Sequence, residues 1–195
     1  FVIPEVCIYS YTKLFRANRT TKVNTVGFKI FKSPNFPPLG EIGIDLSIEW
    51  SLLRGCNSDK PLIVHPITNP NVGCIQLFPG ITKDVIKNFL REPMAGIILQ
   101  TYGYVYEKKN WWFSAGNVPY HRTELFEVLK EATDRGVIIV NITPCYRGGI
   151  NMEDSTKKVL EEAGVISGED MTMEAALTKL MYLLSLNLSK SKIKE

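Results

Sequence analysis

The sequence predicts an α/β chain in which a ribbon and a linker precede a small three-layer domain with a four-stranded parallel sheet. Three observations support this prediction. After residue 61, short apolar runs alternate with helix-length segments, the pattern of βα units with parallel strands. The run over residues 137–142 is rich in β-branched residues, as in a strand covered on both faces. The Pro- and Gly-dense residues 33–40 can form neither a helix nor a central strand, so they indicate a connection.

The region before residue 61 has a looser pattern. Residues 6–23 alternate irregularly between apolar and polar side chains and carry turn residues at Arg16-Ala-Asn18. This predicts a strand pair or ribbon with polar faces. A second break over residues 55–61 marks the point where the strand and helix pattern begins. We therefore place a domain boundary between residues 60 and 61.

Four apolar runs are predicted to be the strands of the parallel sheet: Val72–Phe78, Ala95–Thr101, Val137–Thr143 and Val165–Ser167. Four segments are predicted to be helices: Ile81–Glu92, Thr123–Arg135, Ser155–Ala163 and Thr172–Leu186. Hydroxyl or acidic residues stand at the predicted helix starts, namely Thr82, Thr123 and either Asp170 or Thr172. Two glycines stand just past predicted helix ends, Gly136 and Gly164. The basic tail over residues 190–194 is interpreted as a solvated or frayed end.

The carboxyl ends of parallel strands meet at one edge of the sheet. This predicts a single rim formed by three segments: Thr101-Tyr102-Gly103, Thr143-Pro144-Cys145 and Gly168-Glu169-Asp170. Open α/β sheets bind ligands at such an edge, so the rim is the default place for a small molecule. The Cys145 thiol would need a nearby base to act as a nucleophile, and neither His65 nor His121 is tied to it by spacing. A packed thiol at a strand end is the alternative interpretation.

Composition and charge argue against several classes of protein. A net charge of +3 is too small to indicate a nucleic-acid partner. No apolar run approaches the ~20 residues that span a bilayer, so no membrane partner is predicted. The four cysteines are widely spaced and include no Cys-x-x-Cys pair, which argues against a metal site and favours reduced cytoplasmic thiols. The sequence also lacks the phosphate-binding patterns G-x-G-x-x-G and G-x-x-x-x-G-K.

Three stretches of the chain resemble a known family. Residues 136–145 end in Thr-Pro-Cys, residues 164–172 read Gly-Val-Ile-Ser-Gly-Glu-Asp-Met-Thr, and residues 18–22 read Asn-Arg-Thr-Thr-Lys. These sequences resemble the cytosolic, bacterial type I-like L-asparaginases. The resemblance implies that residues 1–60 are the end of the N-terminal catalytic domain, a larger α/β domain, with its ribbon and linker. It implies that residues 61–195 are the C-terminal asparaginase α/β domain.

The same resemblance implies hydrolysis of L-asparagine to L-aspartate and ammonia without a cofactor. It also implies a cytoplasmic dimer or homotetramer whose sites lie between subunits. Enzymes of this family act through a threonine in a Thr-Gly-Gly-Thr segment and a second threonine in Gly-Thr-Asp, and neither segment occurs in residues 1–195. The catalytic residues are therefore expected outside this sequence, and the chain is expected to be inactive alone. Its first residue, Phe1, is expected to be internal to a longer protein.

The resemblance assigns five residues to a substrate- or effector-binding site: Gln100, Tyr102, Gly116, Asn117 and Cys145. Residues 102–103 and 116–119 match the two halves of a loop that is continuous in the family, and residues 104–115 form an insertion between them. Its spacing alone favours an ordinary Asn-containing turn for Asn117, and the resemblance is what points to a ligand role. Gln100 stands where some members carry an arginine, a replacement that removes a bidentate clamp for a carboxylate.

Two other classes of protein stay open at this point. One is a non-catalytic module that binds an amino acid for regulation. The other is the asparaginase-like subunit of a tRNA-dependent amidotransferase, which shares the run Asp-Met-Thr-x-Glu-Ala-Ala-Leu over residues 170–177. The sequences at residues 18–22 and 33–35 favour a free asparaginase over that subunit.

Overall fold

A computed structural model describes residues 2–55, 61, 63–102, 123–150 and 160–194 of the 195-residue chain. The chain divides into two compact units, Phe1–Val64 and His65–Glu195. The inserted residues 104–115, together with Gly116 and Asn117, lie outside the described residues.

The first unit contains two small antiparallel sheets. The larger sheet has the strand order β1-β2-β5-β6, with β1 at Cys7–Ser10, β2 at Lys13–Arg16, β5 at Gly40–Ile42 and β6 at Leu46–Ile48. The smaller sheet pairs β3 at Thr21–Lys22 with β4 at Phe31–Lys32. Two short 3-10 turns, Ala17–Arg19 and Trp50–Leu52, follow β2 and β6. The predicted ribbon is therefore present, and part of the predicted linker is itself paired as β5 and β6.

The turn residues predicted at Arg16-Ala-Asn18 coincide with the 3-10 turn Ala17–Arg19, and the hairpin turn of the ribbon lies earlier in the chain. The turn is the two-residue loop Tyr11-Thr12, which joins the paired residues Ser10 and Lys13. Tyr11 has φ 62°, the left-handed backbone that matches two-residue hairpin loops to the twist of their strands. Tyrosine is uncommon in such loops, so the residue type gave no signal for this turn.

One face of the larger sheet is apolar and partly open. The register aligns Tyr9 with Leu14 on neighbouring strands, and Ile42 with Leu46 on the other pair, all on the same face. Tyr9, Ile42 and Leu46 keep 57%, 47% and 59% of their surface exposed. The opposite face carries the exposed ion pair between Lys13 Nζ and Glu41 Oε2, at 3.2 Å.

A buried ion pair stabilises the first unit near its beginning. The Arg16 guanidinium donates to both carboxylate oxygens of Glu5, through Nε and through Nη2 at 2.8 Å. Nη2 also donates to the Leu52 carbonyl at 2.8 Å, and the guanidinium stacks 4.4 Å from the Phe36 ring centroid. Both side chains of the pair are at least 90% buried. The hydrogen bond from Arg16 holds the pKa of the Glu5 carboxyl below its ordinary value.

The second unit contains the predicted four-stranded parallel sheet, which the structure confirms. Its strands are β7 at Val72–Gln76, β8 at Gly96–Gln100, β9 at Ile138–Ile142 and β10 at Ile166–Ser167, in the order β10-β9-β8-β7. All three pairings are parallel. The register places Gln76, Gln100 and Ile142 side by side at the carboxyl ends of the three longer strands.

The described helices follow the predicted order with shorter bounds: α1 is Lys83–Phe89, α2 is Thr123–Asp134 and α3 is Met173–Ser185. Residues 160–162 are also helical, and the rest of the predicted helix Ser155–Ala163 lies outside the described residues. Thr82 and Thr172 cap α1 and α3, because their hydroxyls accept from Val85 N–H and Ala175 N–H. Gly136 and Gly164 have φ of 102° and 79°, so both predicted left-handed positions are confirmed.

Two apolar cores cover the two faces of the parallel sheet. On one face, Ile97, Leu99 and Ile139 pack with α1 and α2. On the other face, Ile98, Ile138 and Ile142 pack with α3 through Ala176 and Leu180. Alternating residues of one strand therefore serve opposite cores, which explains why β8 and β9 read as continuous apolar runs. The result is the predicted three-layer arrangement.

The basic tail, interpreted as a solvated or frayed end, is not frayed, although the Lys192 side chain is exposed to solvent. Residues Lys190–Lys194 form a short helix, α4. Ile193 packs against the core on the α3 side of the sheet, and Lys190 Nζ donates to the Thr133 carbonyl at 3.2 Å. One apolar residue and one helix-end carbonyl thus hold a segment that its charge alone suggested to be free. None of the helices in the described part of the chain is long and apolar enough to cross a membrane.

Candidate ligand-binding site at the carboxyl edge of the parallel sheet

The predicted rim is assembled from segments that directly follow β8, β9 and β10. Thr101 and Tyr102 follow β8, and the Gln76 side-chain amide donates to the Tyr102 hydroxyl at 2.5 Å. Gln100, the last residue of β8, is half-buried beside them. This end of the rim presents amide and phenol groups, which exchange hydrogen bonds with polar ligands without carrying charge.

The structure brings together two of the predicted site residues, Tyr102 and Cys145. The Cys145 thiol lies 3.6 Å from the Tyr102 main-chain oxygen, to which it donates. The Cys145 N–H donates to the Thr143 hydroxyl at 3.1 Å, which fixes the turn that carries the thiol. Cys145 is exposed, whereas burial raises the pKa of the Cys74 thiol elsewhere in the same unit.

A buried polar pair lies directly beneath the rim, and sequence reasoning missed it. The Thr101 hydroxyl donates to the Asn141 side-chain oxygen at 2.9 Å. Thr101 is 1% exposed and Asn141 is 4% exposed. The available signal was the single polar side chain of Asn141 inside the apolar run of β9, and an amide buried there needs a partner.

The third segment of the rim is attached to its neighbours through the main chain. Gly168 N–H donates to the Asn141 carbonyl at 2.7 Å, and Ile150 N–H donates to the Glu169 carbonyl at 3.0 Å. Glu169 has φ 53°, a left-handed value that is uncommon outside glycine. A Cβ on Gly149 would lie 2.9 Å from the Glu169 oxygen, so the close approach of these two turns requires glycine.

A cavity of ≈ 200 Å³ lies on the α3 side of the sheet. Its lining includes Val140, Gly168, Met171, Leu180 and Leu183. Neither Tyr102 nor Cys145 lines it. The cavity therefore adjoins the third rim segment through Gly168 and Glu169, whereas Tyr102 and Cys145 lie outside it.

The described rim holds polar side chains but no activated nucleophile or metal-ligand cluster. His65 contacts Tyr182 edge to face, with 5.9 Å between ring centroids, and His121 lies outside the described residues. The Cys145 thiol contacts the Tyr102 carbonyl and no base within the described residues, so it has no activating partner there. Groups of His, Cys, Asp and Glu that could hold a metal are also absent from the part of the chain that the structure describes. The rim carries amide, hydroxyl and thiol groups together with the carboxylates of Glu169 and Asp170, and such groups suit a small polar ligand.

A parallel sheet covered by helices on both faces, with polar groups collected at its carboxyl edge, defines the second unit as a three-layer α/β domain. Sequence comparison identifies which one. Residues 71–195 match the Glutaminase/Asparaginase C-terminal domain, and residues 1–54 match the family described as Asparaginase, N-terminal. The chain belongs to the asparaginase family.

Individual relatives agree with this assignment. The chain is 43% identical over 196 residues to L-asparaginase 1 of Escherichia coli (strain K12), covering 100% of this chain and 54% of the relative. It is 40% identical over 183 residues to L-asparaginase of Dirofilaria immitis, covering 94% and 29%. The crystal structure of L-asparaginase I from Vibrio cholerae superposes with a TM-score of 0.80 at 41% identity, covering 98% and 54%. The chain thus spans about half the length of its bacterial relatives.

Proposed function

We propose that this chain is the C-terminal part of an L-asparaginase, which hydrolyses L-asparagine to L-aspartate and ammonia. The observation that supports this most strongly is the similarity to L-asparaginases along the entire chain, with matches on both sides of the linker. The attacking threonine lies outside residues 1–195, since neither Thr-Gly-Gly nor Gly-Thr-Asp occurs in the sequence. The proposed division is residues 1–60 for the end of the catalytic domain and residues 61–195 for the C-terminal domain.

A chimera tests this proposal directly. The part of Escherichia coli L-asparaginase 1 that precedes the matched region is fused to Phe1, and ammonia release from L-asparagine is measured. We expect turnover by the chimera and none by residues 1–195 alone. A control chimera carries alanine in place of the proposed threonine nucleophile and should be inactive. Ammonia release by residues 1–195 alone would contradict the location of the nucleophile, and an inactive but folded chimera would contradict the function.

The rim is proposed to bind asparagine as substrate or effector through Gln100, Tyr102 and Cys145, together with Gly116 and Asn117. The contact between Cys145 and Tyr102 supports this proposal, because two of the proposed ligand-binding residues are adjacent to each other at the edge of the sheet. Gln100 offers a neutral amide in place of a guanidinium, so carboxylate binding there should be weaker than in members with arginine. Calorimetric titration with L-asparagine and with L-aspartate tests the site, and a flat titration with both would refute it.

The assembly is proposed to be a homotetramer or a dimer in the cytoplasm, with sites between subunits. Light scattering on the chimera would measure the number of subunits. Binding of asparagine by the chimera without ammonia release would favour the alternative of a non-catalytic regulatory module. The free-asparaginase sequences at residues 18–22 and 33–35 favour the hydrolase over the amidotransferase subunit.

A further inference from the structure

Asn141 is a buried polar side chain at the next-to-last position of β9, an otherwise apolar strand. Of its two neighbours along β9, Ile142 is fully buried and Val140 is half-buried, and Asn141 itself is 4% exposed. We infer that Asn141 and Thr101 are a positioning pair that holds the segments of the ligand rim at their working separation. The inference rests on the proposed function only for the identity of the ligand.

The cost of burying this pair argues for a role beyond packing. An amide in the protein interior loses its hydrogen bonds to water, and one internal hydrogen bond offsets that loss only partly. Two apolar side chains of similar shape would fill the same space without that cost. Thr101 and Asn141 form the pair at 2.9 Å, directly below residues 102 and 143–145. The pair instead fixes the distance between the carboxyl ends of β8 and β9.

Three connections meet at Asn141. Its side chain accepts from Thr101, the residue that precedes Tyr102. Its main-chain oxygen accepts from Gly168 N–H at 2.7 Å, which fixes the start of the third rim segment. Two residues further along the chain, Thr143 caps the turn at Cys145. Asn141 is therefore connected to all three rim segments, by its side chain, by its main-chain oxygen and by the strand end that it shares with Thr143.

The separation of Cys145 Sγ from the Tyr102 oxygen, 3.6 Å, reports on this arrangement. If the pair positions the rim, loss of the Thr101 hydroxyl should let residues 101–102 move away from residues 143–145. The exposed thiol would then lose its contact and become more reactive toward a disulfide reagent. This readout needs neither asparagine nor the catalytic threonine.

The experiment uses the full chain with Cys7, Cys56 and Cys74 replaced by serine, so that Cys145 is the single thiol. Its modification by the aromatic disulfide DTNB is followed under native conditions. Thr101→Val should raise the rate constant about tenfold, because a buried hydrogen bond is worth about that ratio in an equilibrium constant. Thr101→Ser keeps the hydroxyl and should react like the parent. Thr133→Val is the matched control, since Thr133 is equally buried and donates to the Ala163 carbonyl away from the rim.

A second variant separates positioning from stability. In Thr101→Val/Asn141→Leu both polar partners are gone, so the protein should be at least as stable as Thr101→Val alone. We expect this stable protein still to show fast Cys145 modification and an asparagine Kd raised about tenfold. An unchanged modification rate in it, or an equal increase in Thr133→Val, would overturn the inference. Faster modification in a protein whose parent does not bind asparagine would sustain the positioning role and refute the rim as an asparagine site.

Discussion

The Cys145 thiol and the Tyr102 carbonyl meet at 3.6 Å although 43 residues separate them in the sequence. They come from adjacent parallel strands, β9 and β8, whose carboxyl ends are aligned by the pairing of Gln100 with Ile142. The contact therefore follows from the sheet register, and a change in register would separate the two groups. This makes the thiol a sensitive reporter for the proposed ligand site.

Replacing Cys145 with alanine removes the thiol from the rim without creating a buried void, because the side chain is exposed. We expect the Kd for L-asparagine to rise about threefold to tenfold, the range for one hydrogen bond. The free energy of unfolding should stay the same, as for other exposed substitutions. Calorimetry and urea unfolding check the two parts. Cys7→Ala, in the first unit, is the control and should leave the Kd unchanged; an unchanged Kd in Cys145→Ala would remove the thiol from the site.

Replacing Glu5 with glutamine leaves the Arg16 guanidinium buried without its counter-ion. Breaking one partner of a buried pair costs about 3 kcal/mol, so the first unit should unfold at lower denaturant concentration. Glu41→Gln breaks the exposed pair with Lys13 in the same sheet and should cost less than about 1 kcal/mol. Hydrogen exchange of the β2 amides measures both. Equal effects of the two substitutions would show that burial adds nothing to the Glu5 pair.

The same pair predicts a dependence on pH. The pKa of Glu5 is lowered in the folded chain because Arg16 donates to its carboxylate, relative to an ordinary value of 4.5. A lowered folded pKa means that the contribution is complete above 4.5 and is lost as the pH falls through the lowered folded value. The difference in unfolding free energy between the parent and Glu5→Gln should therefore be constant near neutral pH and shrink in acid. A difference that grew with acidification would contradict the assigned sign.

Gly96 lies on β8 where α3 packs closest. A Cβ added there would be 2.8 Å from Leu180 Cδ2 and 3.0 Å from Leu184 Cδ1. Gly96→Ala should lower the free energy of unfolding of the second unit by about 1–3 kcal/mol through overpacking. Leu180→Val frees space, so the double variant should be more stable than the sum of the single losses predicts. Strict additivity in denaturant unfolding would locate the strain elsewhere.

The short C-terminal helix α4 is predicted to contribute to stability through one side chain. Ile193→Ala should destabilise the second unit by about 1–2 kcal/mol, since Ile193 is partly buried against the sheet core. Lys192→Ala, next to it and exposed, should have almost no effect. Thermal unfolding of both variants is the measurement. Equal midpoints would mean that α4 does not pack in solution.

The sequence was sufficient for the parallel sheet because its strands are buried on both faces. A nearly continuous apolar run such as 137–142 is typical of a strand with an apolar layer on each face. The glycines at positions 136 and 164 mark helix ends because the backbone there has a positive φ, which glycine adopts readily. Local chemistry therefore encodes these elements. The convergence of Tyr102 and Cys145 follows from topology once the strands are known to be parallel.

Two of the features that sequence reasoning missed depend on contacts distant in the chain. The turn at Tyr11 is local and was missed because tyrosine is uncommon in such loops, whereas α4 is held by Ile193 on a core formed more than ten residues away. The partner of Asn141 is 40 residues away. A buried asparagine can be noticed in an apolar run, but its partner cannot be chosen without the sheet register. The positions of Gly116 and Asn117 remain predictions, because they lie outside the described residues.

The open apolar face formed by Tyr9, Ile42 and Leu46 has a consequence for biosynthesis. These residues leave the ribosome before the second unit, His65–Glu195, has been translated. At ~5–20 residues per second, that translation takes on the order of ten seconds. The apolar face is exposed during this time and stays exposed in the full chain, so the yield in cells should depend on chaperone supply more steeply than for the parallel domain alone.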